Sequence, residues 1–269
     1  MHKVLIIAGS DSGGGAGIQA DLKTLTAFGV FGTCVITAIT AQNTLGVQDI
    51  YEIPDYIVTQ QIDSIMTDIG TDALKTGMLC NADIVKVVCN KIKQYQIKNV
   101  VVDPVIAAKG GRQLLSTDGI NALVSDLIPL SFLITPNVYE AERLSGQTIK
   151  CLSDVEESAK AIHNSGAKNV LIKGGHFAEG EAIVTDVLYD GKTFEYFSSK
   201  RIKTINTHGT GCTYASAIAA GLAKGQSLRF AIKNAKSFIT KALSSSYNPG
   251  KGHGTINQLG NSTGKLVCS

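Results

Sequence analysis

Short apolar runs alternate along the chain with segments whose apolar residues recur at helical spacing. Residues 4–8 form a continuous apolar run, and after a glycine-rich loop Ile18, Leu22, Leu25 and Phe28 lie on one face of a helix. We predict further strands at 33–38, 49–53, 73–79, 99–105, 132–135 and 169–173, a polar loop at 40–44, and a hairpin at 182–197. We predict further helices at 55–69 with Asp55 as its cap, at 83–95, 118–127, 153–163 and 214–224, and from Pro136 onward.

This alternation indicates an α/β fold. Strands separated by helices are typical of βαβ units, so we predict three α/β/α layers with a mostly parallel central sheet and helices on both faces. No linker rich in proline, serine or charge interrupts the pattern, and residues 1–269 are therefore predicted to form a single domain. The tail at about 248–269 is rich in turn residues, and we expect it to be partly mobile.

The composition argues against several classes of partner. The net charge is +3 with 17% charged residues, and tryptophan is absent, so we expect neither a phosphate-tracking groove nor a base-stacking surface for nucleic acid. No apolar run approaches about 18 residues and no charged segment precedes the first strand, so we expect neither a membrane span nor an export signal. The 6 cysteines include no C-x-x-C pair, which indicates reduced thiols, no zinc site and a cytoplasmic location.

A glycine-rich stretch that opens a helix is the main candidate for chemistry. Gly209, Thr210, Gly211 and Cys212 precede a run of small residues that allows a helix to pack closely. The first N–H groups of a helix have no intrahelical partner and carry the positive end of its dipole, so they favour a phosphoryl group. The same field favours a thiolate at Cys212. From this stretch alone, a glycine loop before an ordinary packed helix with an inert thiol is an equally good interpretation.

Polar residues follow several of the predicted strands, at the edge where ligands bind to a parallel sheet. Asp103 and Glu140 are suited to hold Mg²⁺, directly or through water, and Lys173 is suited to neutralise phosphate charge. Singly, each has an ordinary explanation as a turn cap, a helix-terminal acid or a surface lysine. Together on one rim they favour phosphoryl transfer. The loop at 9–17 lacks the third glycine of a dinucleotide fingerprint, and no Walker motif occurs in the sequence.

Taken together, these segments resemble a known family. In chain order they are Ala8-Gly9-Ser10-Asp11-Ser12, Gly15-Ala16-Gly17-Ile18-Gln19-Ala20-Asp21, Thr40-Ala41-Gln42-Asn43-Thr44, Lys75-Thr76-Gly77-Met78-Leu79, Asp103-Pro104-Val105, Thr135-Pro136-Asn137 with Glu140-Ala141, Lys173-Gly174-Gly175-His176 and Thr207-His208-Gly209-Thr210-Gly211-Cys212. They look like the hydroxymethylpyrimidine/phosphomethylpyrimidine kinases of thiamine biosynthesis, members of the ribokinase-like superfamily, from residue 4 to about 253. The resemblance implies phosphorylation of 4-amino-5-hydroxymethyl-2-methylpyrimidine and then of its monophosphate, with ATP and Mg²⁺. It also implies a homodimer, since dimers are common in this family.

The resemblance assigns the reacting end of the site to the glycine-rich stretch. Gly209, Thr210 and Gly211 resemble the anion hole that faces the transferred phosphoryl group. Cys212 stands where sugar kinases of the superfamily have a catalytic Asp, so we hypothesise that it is the general base, its pKa brought towards neutrality by the helix dipole and nearby cations. A contact with the substrate or a lid is the alternative role for this thiol.

Further roles follow from the resemblance at the two ends of the site. Gln42 matches the residue whose amide reads the pyrimidine, because an amide offers both a donor and an acceptor. Asp11 and Gly13 belong to the glycine loop that lies over the acceptor, and His208 to a loop that closes over the substrate or is an ordinary loop histidine. The remaining positions are Asn137, Lys173 and Thr207 near the nucleotide, and Asp103 and Glu140 near Mg²⁺.

Two alternative functions stay open. Bacterial pyridoxal kinases share the stretch at 207–212, so pyridoxal or pyridoxine is the second candidate acceptor. A non-catalytic nucleotide-binding protein is possible if the cysteine is inert. The tail Gly252-His253-Gly254-Thr255-Ile256-Asn257-Gln258 differs from the Gly-His-Gly-Pro-Val-Asn-His-like ending of many members of the family, which leaves the role of the tail undetermined.

Overall fold

A computed structural model describes residues 1–108, 110–174 and 182–260 of the chain. Gly175 and His176 of the segments compared above, and residues 261–269 of the tail, lie outside the described residues. The strands are β1 Lys3–Asp11, β2 Phe31–Asn43, β3 Gly46–Glu52, β4 Ala73–Thr76, β5 Val100–Val102, β6 Leu133–Ile134, β7 Val170–Ile172, β8 Ile183–Tyr189 and β9 Phe194–Lys200. The helices are α1 Gly17–Ala27, α2 Asp55–Asp68, α3 Ala82–Gln94, α4 Thr117–Ala122, α5 Val138–Ser145, α6 Leu152–Asn164, α7 Thr210–Ala223 and α8 Leu228–Ser244.

The strands of the described residues form one nine-stranded sheet in the order β3-β2-β1-β4-β5-β6-β7-β8-β9. Pairing is parallel from β2 to β7, whereas β3 at one edge and the β8–β9 hairpin at the other are antiparallel. The strand order reverses at β1, which pairs with β2 on one side and with β4 on the other. Such a switch point leaves a crevice at the carboxyl ends of the strands, where ligands bind in open α/β sheets.

Both faces of the sheet are covered, which explains the continuous apolar runs of its central strands. In β1, Leu5 and Ile7 join a core with α2 to α6, while Val4 and Ile6 join a second core with α1, α7 and α8. Alternate residues of a strand point to opposite faces, so a strand buried on both sides needs apolar residues throughout. The predicted three-layer α/β fold with a mostly parallel sheet is confirmed. The continuous sheet is compatible with the predicted single domain.

Several local predictions are wrong. The segment 40–44 was predicted to be a loop, but residues 40–43 belong to β2, which continues to Asn43. This part of β2 pairs with β3, with Gln42 opposite Val47. Asp55 does not cap α2: Pro54 is the N-cap, and Asp55 accepts a hydrogen bond from the N–H of Tyr56. Helix α4 ends at Ala122 and is continued by a π turn and a 3₁₀ turn. Helix α8 was not predicted. No helix among the described residues is long and apolar enough to cross a membrane.

Candidate active site

The residues predicted for function meet in one cleft at the carboxyl ends of the strands. The cleft has a volume of about 820 Å³, within the range of small-molecule sites. All but one of the predicted site residues line it: Asp11, Gln42, Asp103, Asn137, Glu140, Lys173, Thr207, His208, Gly209, Thr210, Gly211 and Cys212. Gly13 is the exception; it is exposed outside the cleft, and its N–H donates to Asp11 Oδ1 at 2.8 Å.

The amino terminus of α7 points its backbone N–H groups into the middle of the cleft. Gly209 is the N-cap with φ 80°, and a Cβ at this position would lie 1.9 Å from the carbonyl oxygen of Gly15, so only glycine fits. The N–H of Thr210 donates to Thr207 O at 3.3 Å and that of Thr213 to Gly209 O at 2.9 Å. The N–H groups between these two positions lie at the positive end of the helix, where an anion is favoured.

Cys212 lies in the first turn of α7 and lines the cleft. Burial raises the pKa of its thiol to about 11, while the ammonium group of Lys75 and a hydrogen bond from the backbone of Gly17 act in the opposite direction. The expectation that this pKa lies near neutrality is therefore wrong for this form of the protein, because desolvation of the thiolate exceeds the effect of its positive surroundings.

A buried ion pair that sequence reasoning missed lies beneath Cys212. Lys75 Nζ donates to both carboxylate oxygens of Asp21, at 3.0 and 2.8 Å, and both side chains are fully inaccessible to solvent. Ser216 on α7 donates to Asp21 Oδ1 at 2.7 Å. Burial by itself favours the neutral amine, but the carboxylate of Asp21 keeps the pKa of Lys75 above its ordinary value. Lys75 therefore places a positive charge under the cleft.

A lysine between two carboxylates lies beside the anion hole. Lys173 Nζ is 2.7 Å from Asp103 Oδ1 and 4.0 Å from Glu140 Oε2. A Cβ on Gly211 would lie 3.4 Å from Lys173 Nζ and 3.6 Å from Asp103 Oδ2, so any side chain at this position would contact these charged groups. Thr135 donates to Asp103 Oδ1 at 3.1 Å and fixes that carboxylate. The predicted phosphate lysine and the predicted metal carboxylates therefore meet at one point.

Glu140 has a structural role that the sequence pattern already indicates. Its Oε2 accepts the N–H of Asn137 at 2.8 Å, and Asn137 Oδ1 accepts the N–H of Glu140 at 2.9 Å, which is a complete capping box for α5. Burial raises the pKa of Glu140 to about 7, against the opposing charge of Lys173. The capping box aims Glu140 at Lys173 and brings Asn137 to the rim of the cleft.

Asp11 organises the glycine loop that covers the other side of the cleft. Its carboxylate accepts N–H groups from Gly13, Gly15 and Ala16 at 2.8, 3.0 and 2.8 Å, and His208 Nε2 lies 2.9 Å from Asp11 Oδ2. Burial opposes ionisation, but the bonds from His208, Ala16 and Gly13 outweigh it and hold the pKa of Asp11 below its ordinary value. Asp11 thus acts on the shape of the loop, and its oxygens are occupied by protein groups.

His208 connects this loop to Gln42. Its Nε2 lies 3.2 Å from Gln42 Nε2, and Gln42 Oε1 accepts a hydrogen bond from Thr40 at 3.1 Å. The amide predicted to read the acceptor therefore points into the cleft, with its oxygen bonded to Thr40 and its nitrogen beside the ring of His208. A heteroaromatic ring that enters the cleft has to replace or share these contacts.

A second buried charge cluster, also missed from the sequence, lines the far end of the cleft. Asp186 accepts hydrogen bonds from Lys236 Nζ at 2.6 Å and from the hydroxyl group of Tyr214 at 2.8 Å. Its other oxygen accepts the N–H of Gly174 at 3.0 Å, and Gly174 directly follows Lys173. The cluster ties β8, α7 and α8 to the segment that carries the phosphate lysine. Nothing in the local sequence around these residues indicates that they meet.

A family model, curated relatives and solved structures that resemble this chain are all kinases or proteins of thiamine biosynthesis. The family model described as phosphomethylpyrimidine kinase matches residues 11–257. The chain is 48% identical over 259 residues to the hydroxymethylpyrimidine/phosphomethylpyrimidine kinase of Bacillus subtilis, covering 96% of this chain and 95% of that protein. It is 49% identical over 256 residues to the thiamine biosynthesis bifunctional protein ThiED of Geobacter sulfurreducens, covering 95% of this chain but only 52% of that protein. An ADP complex of Bacillus subtilis pyridoxal kinase superposes with a TM-score of 0.89 at 43% identity, covering 96% and 97% of the two chains.

Proposed function

Because this chain belongs to the phosphomethylpyrimidine kinase family and is a small-molecule kinase, we propose that it phosphorylates 4-amino-5-hydroxymethyl-2-methylpyrimidine and then its monophosphate, with ATP as donor. The observation that carries the proposal is the position of the α7 amino terminus. It lies between the charged pair Asp103 and Lys173 on one side and the loop with Asp11, Gln42 and His208 on the other. A phosphoryl group held there has its donor and its acceptor on opposite sides, as in-line transfer requires.

The nucleotide end of the cleft is assigned to Lys173, Asn137 and Thr207. Lys173 is positioned to neutralise phosphate charge next to Gly211, and the backbone N–H groups of α7 are positioned to stabilise the oxygens of the transferred group. The support from relatives is that a pyridoxal kinase of the same fold binds ADP. We extend this to the present chain by proposing that it binds ATP at the same end of the cleft.

Asp103 and Glu140 fit a Mg²⁺ ion that is bound together with the phosphates. No cluster of three or more acidic, histidine or cysteine side chains occurs in the part of the chain described, so a cage made only of protein ligands is not available there. Mg²⁺ is commonly held by one or two carboxylates, substrate phosphates and water, and the two carboxylates beside Lys173 match that requirement. The ion would neutralise charge on the phosphates. Glu140 would hold the ion directly or through water, while its Oε2 accepts the N–H of Asn137.

At the acceptor end, Gln42 is proposed to bind the aminopyrimidine and Cys212 to receive the proton of its hydroxymethyl group. The thiolate that this requires is a minor form of the free enzyme, stabilised by Lys75 and by the backbone of Gly17. The same site has to accept the monophosphate in the second reaction. A cytoplasmic location and a homodimer stay predictions from the sequence.

The deciding experiment measures ADP release with purified protein, ATP and Mg²⁺, with hydroxymethylpyrimidine and pyridoxal in parallel. We expect turnover with hydroxymethylpyrimidine and formation of the diphosphate after prolonged reaction. Pyridoxal is the second candidate acceptor because a pyridoxal kinase shares the fold across 96% of this chain. Turnover with pyridoxal alone would reject the pyrimidine assignment, and ATP binding without transfer to either compound would reject the kinase assignment.

A further inference from the structure

A loop near the end of the described chain crosses the acceptor side of the cleft. This tail loop, residues 247–255, is closed at the base by two backbone hydrogen bonds between Tyr247 and Thr255, at 3.1 and 3.0 Å. Inside the loop, Asn248 Nδ2 donates to Gly252 O at 2.9 Å and Asn248 Oδ1 accepts the N–H of Gly250 at 3.0 Å. The predicted turn-rich tail is thus a hydrogen-bonded loop in this part of the chain.

The tail loop is packed directly on the turn that joins β2 and β3. The N–H of His253 donates to Thr44 O at 2.8 Å, and the N–H of Gly252 donates to Thr44 Oγ1 at 3.1 Å. A Cβ at Gly252 would lie 2.0 Å from the backbone oxygen of Thr44, and one at Gly250 would lie 2.3 Å from Thr44 Oγ1. The close packing of the tail loop on Thr44 therefore requires glycine at both positions. Thr44 is only two residues beyond Gln42.

The base of the tail loop is bonded to the other two walls of the acceptor side. The N–H of His208 donates to Gly254 O at 3.1 Å, and the N–H of Gly254 donates to Asn206 Oδ1 at 3.1 Å, just before α7. The hydroxyl group of Thr255 lies 3.4 Å from the carbonyl oxygen of Gly15 in the glycine loop. One short segment thus joins the β2–β3 turn, the start of α7 and the glycine loop.

We propose that the tail loop sets the width of the acceptor side and so positions Gln42 and His208 for the acceptor. The inference rests on the proposed function, since it concerns the same site. Its physical basis is that the β2–β3 hairpin projects from the sheet edge, and Thr44 at its tip is fixed to the start of α7 through the tail loop. If Thr44 separated from the start of α7, Gln42 would move relative to the anion hole. The contacts between Lys173 and Asp103 at the nucleotide end would stay in place.

The test is Gly252→Ala, with Lys251→Ala as the matched control because Lys251 is an exposed neighbour in the same loop. We expect Gly252→Ala to raise the KM of hydroxymethylpyrimidine about tenfold, which corresponds to about 1.4 kcal/mol, with the KM of ATP within about twofold of wild type. Gly250→Ala meets mainly the side chain of Thr44, so the additional change Thr44→Gly is expected to restore its KM in part, because the bond from the N–H of Gly252 to Thr44 Oγ1 is lost with that side chain. The same change cannot restore Gly252→Ala, because there the obstacle is backbone.

A second measurement does not depend on turnover. Hydrogen exchange of the ligand-free protein should show the amides of Gly252 and His253 protected in wild type and in Lys251→Ala, and exposed in Gly252→Ala. A folded Gly252→Ala protein with unchanged acceptor KM, or with equal increases in both KM values, would overturn the inference. Unprotected amides in wild type would overturn it as well. If wild type phosphorylates no pyrimidine, the proposed function fails, and the exchange result still decides whether the tail loop holds Thr44.

Discussion

Replacement of Cys212 by serine tests whether this side chain accepts a proton or only contacts the acceptor. Serine keeps a group of similar size that donates and accepts hydrogen bonds, but it does not ionise near neutral pH. A general base has to be deprotonated before it receives a proton, and burial raises the pKa of Cys212 to about 11. We expect Cys212→Ser and Cys212→Ala to lose kcat to a similar extent, by about 10²- to 10⁴-fold.

The raised pKa also determines the direction of the pH dependence. With a pKa of about 11, about one thiol in 10⁴ is ionised at pH 7, and the fraction grows about tenfold with each unit of pH below the pKa. The kcat/KM of wild type is therefore expected to rise about tenfold per unit above neutrality. The residual activity of the alanine and serine variants should not show this slope, because their activity does not depend on a thiolate.

The assay is ADP formation with hydroxymethylpyrimidine at saturating ATP, followed by chromatography so that no coupling enzyme adds its own pH dependence. Thermal melts show whether each variant is folded. Cys151→Ser is the control, because Cys151 is an exposed thiol that does not line the cleft. A folded Cys212→Ser protein within about threefold of the wild-type kcat, together with a flat wild-type profile, would refute the reasoning. The proton would then leave without a side-chain base, and catalysis would depend on positioning and electrostatics.

The remaining predictions concern the acceptor, the metal and the buried charges. Gln42→Met should lose kcat/KM on hydroxymethylpyrimidine and lose less on pyridoxal, and equal losses would show that Gln42 does not discriminate. Asp103→Asn should raise the Mg²⁺ concentration that gives half-maximal rate, and full wild-type activity in excess chelator would contradict a metal requirement. Glu140→Gln should keep the capping box and hence the melting temperature while activity falls, whereas unchanged activity would limit Glu140 to capping. Asp21→Asn should lower the free energy of unfolding in urea by about 3–5 kcal/mol, because Lys75 is left unpaired; a loss below about 1 kcal/mol would contradict this.

The parts of the site that are local in sequence could be predicted. The start of α7 at 209–212 follows from glycines before a packed helix, and the start of α5, with Glu140 in its first turn, follows from Pro136-Asn137. The residues at the carboxyl ends of strands were expected to converge because parallel strands share that edge. Gln42 was placed near the acceptor by resemblance but in the wrong element, since the pairing of β2 with β3 is not visible from a short polar segment.

The missed contacts join residues that are far apart in the chain. Asp21 and Lys75 are separated by 54 positions, and Asp186 and Lys236 by 50 positions. A lysine at position 75 in a predicted strand of mostly apolar residues was the one available signal, because a buried ammonium requires a partner. The sequence does not say which carboxylate supplies it. The high pKa of Cys212 was missed for a similar reason, since its burial depends on how α7 packs against the sheet.

The contacts across this cleft join residues that are far apart in the sequence, which affects the order in which the parts of the protein fold. The contacts of Ser216 with Asp21, of Gly252 with Thr44 and of Thr255 with Gly15 close chain segments of 195, 208 and 240 residues. Contacts of such range cost a large loop-closure entropy before they contribute any stability, so they form late in folding. During synthesis from the amino terminus, the β2–β3 hairpin and the glycine loop are made 208 and 240 residues, respectively, before the residues that they contact. The cleft therefore becomes complete only after every strand of the described sheet has been synthesised.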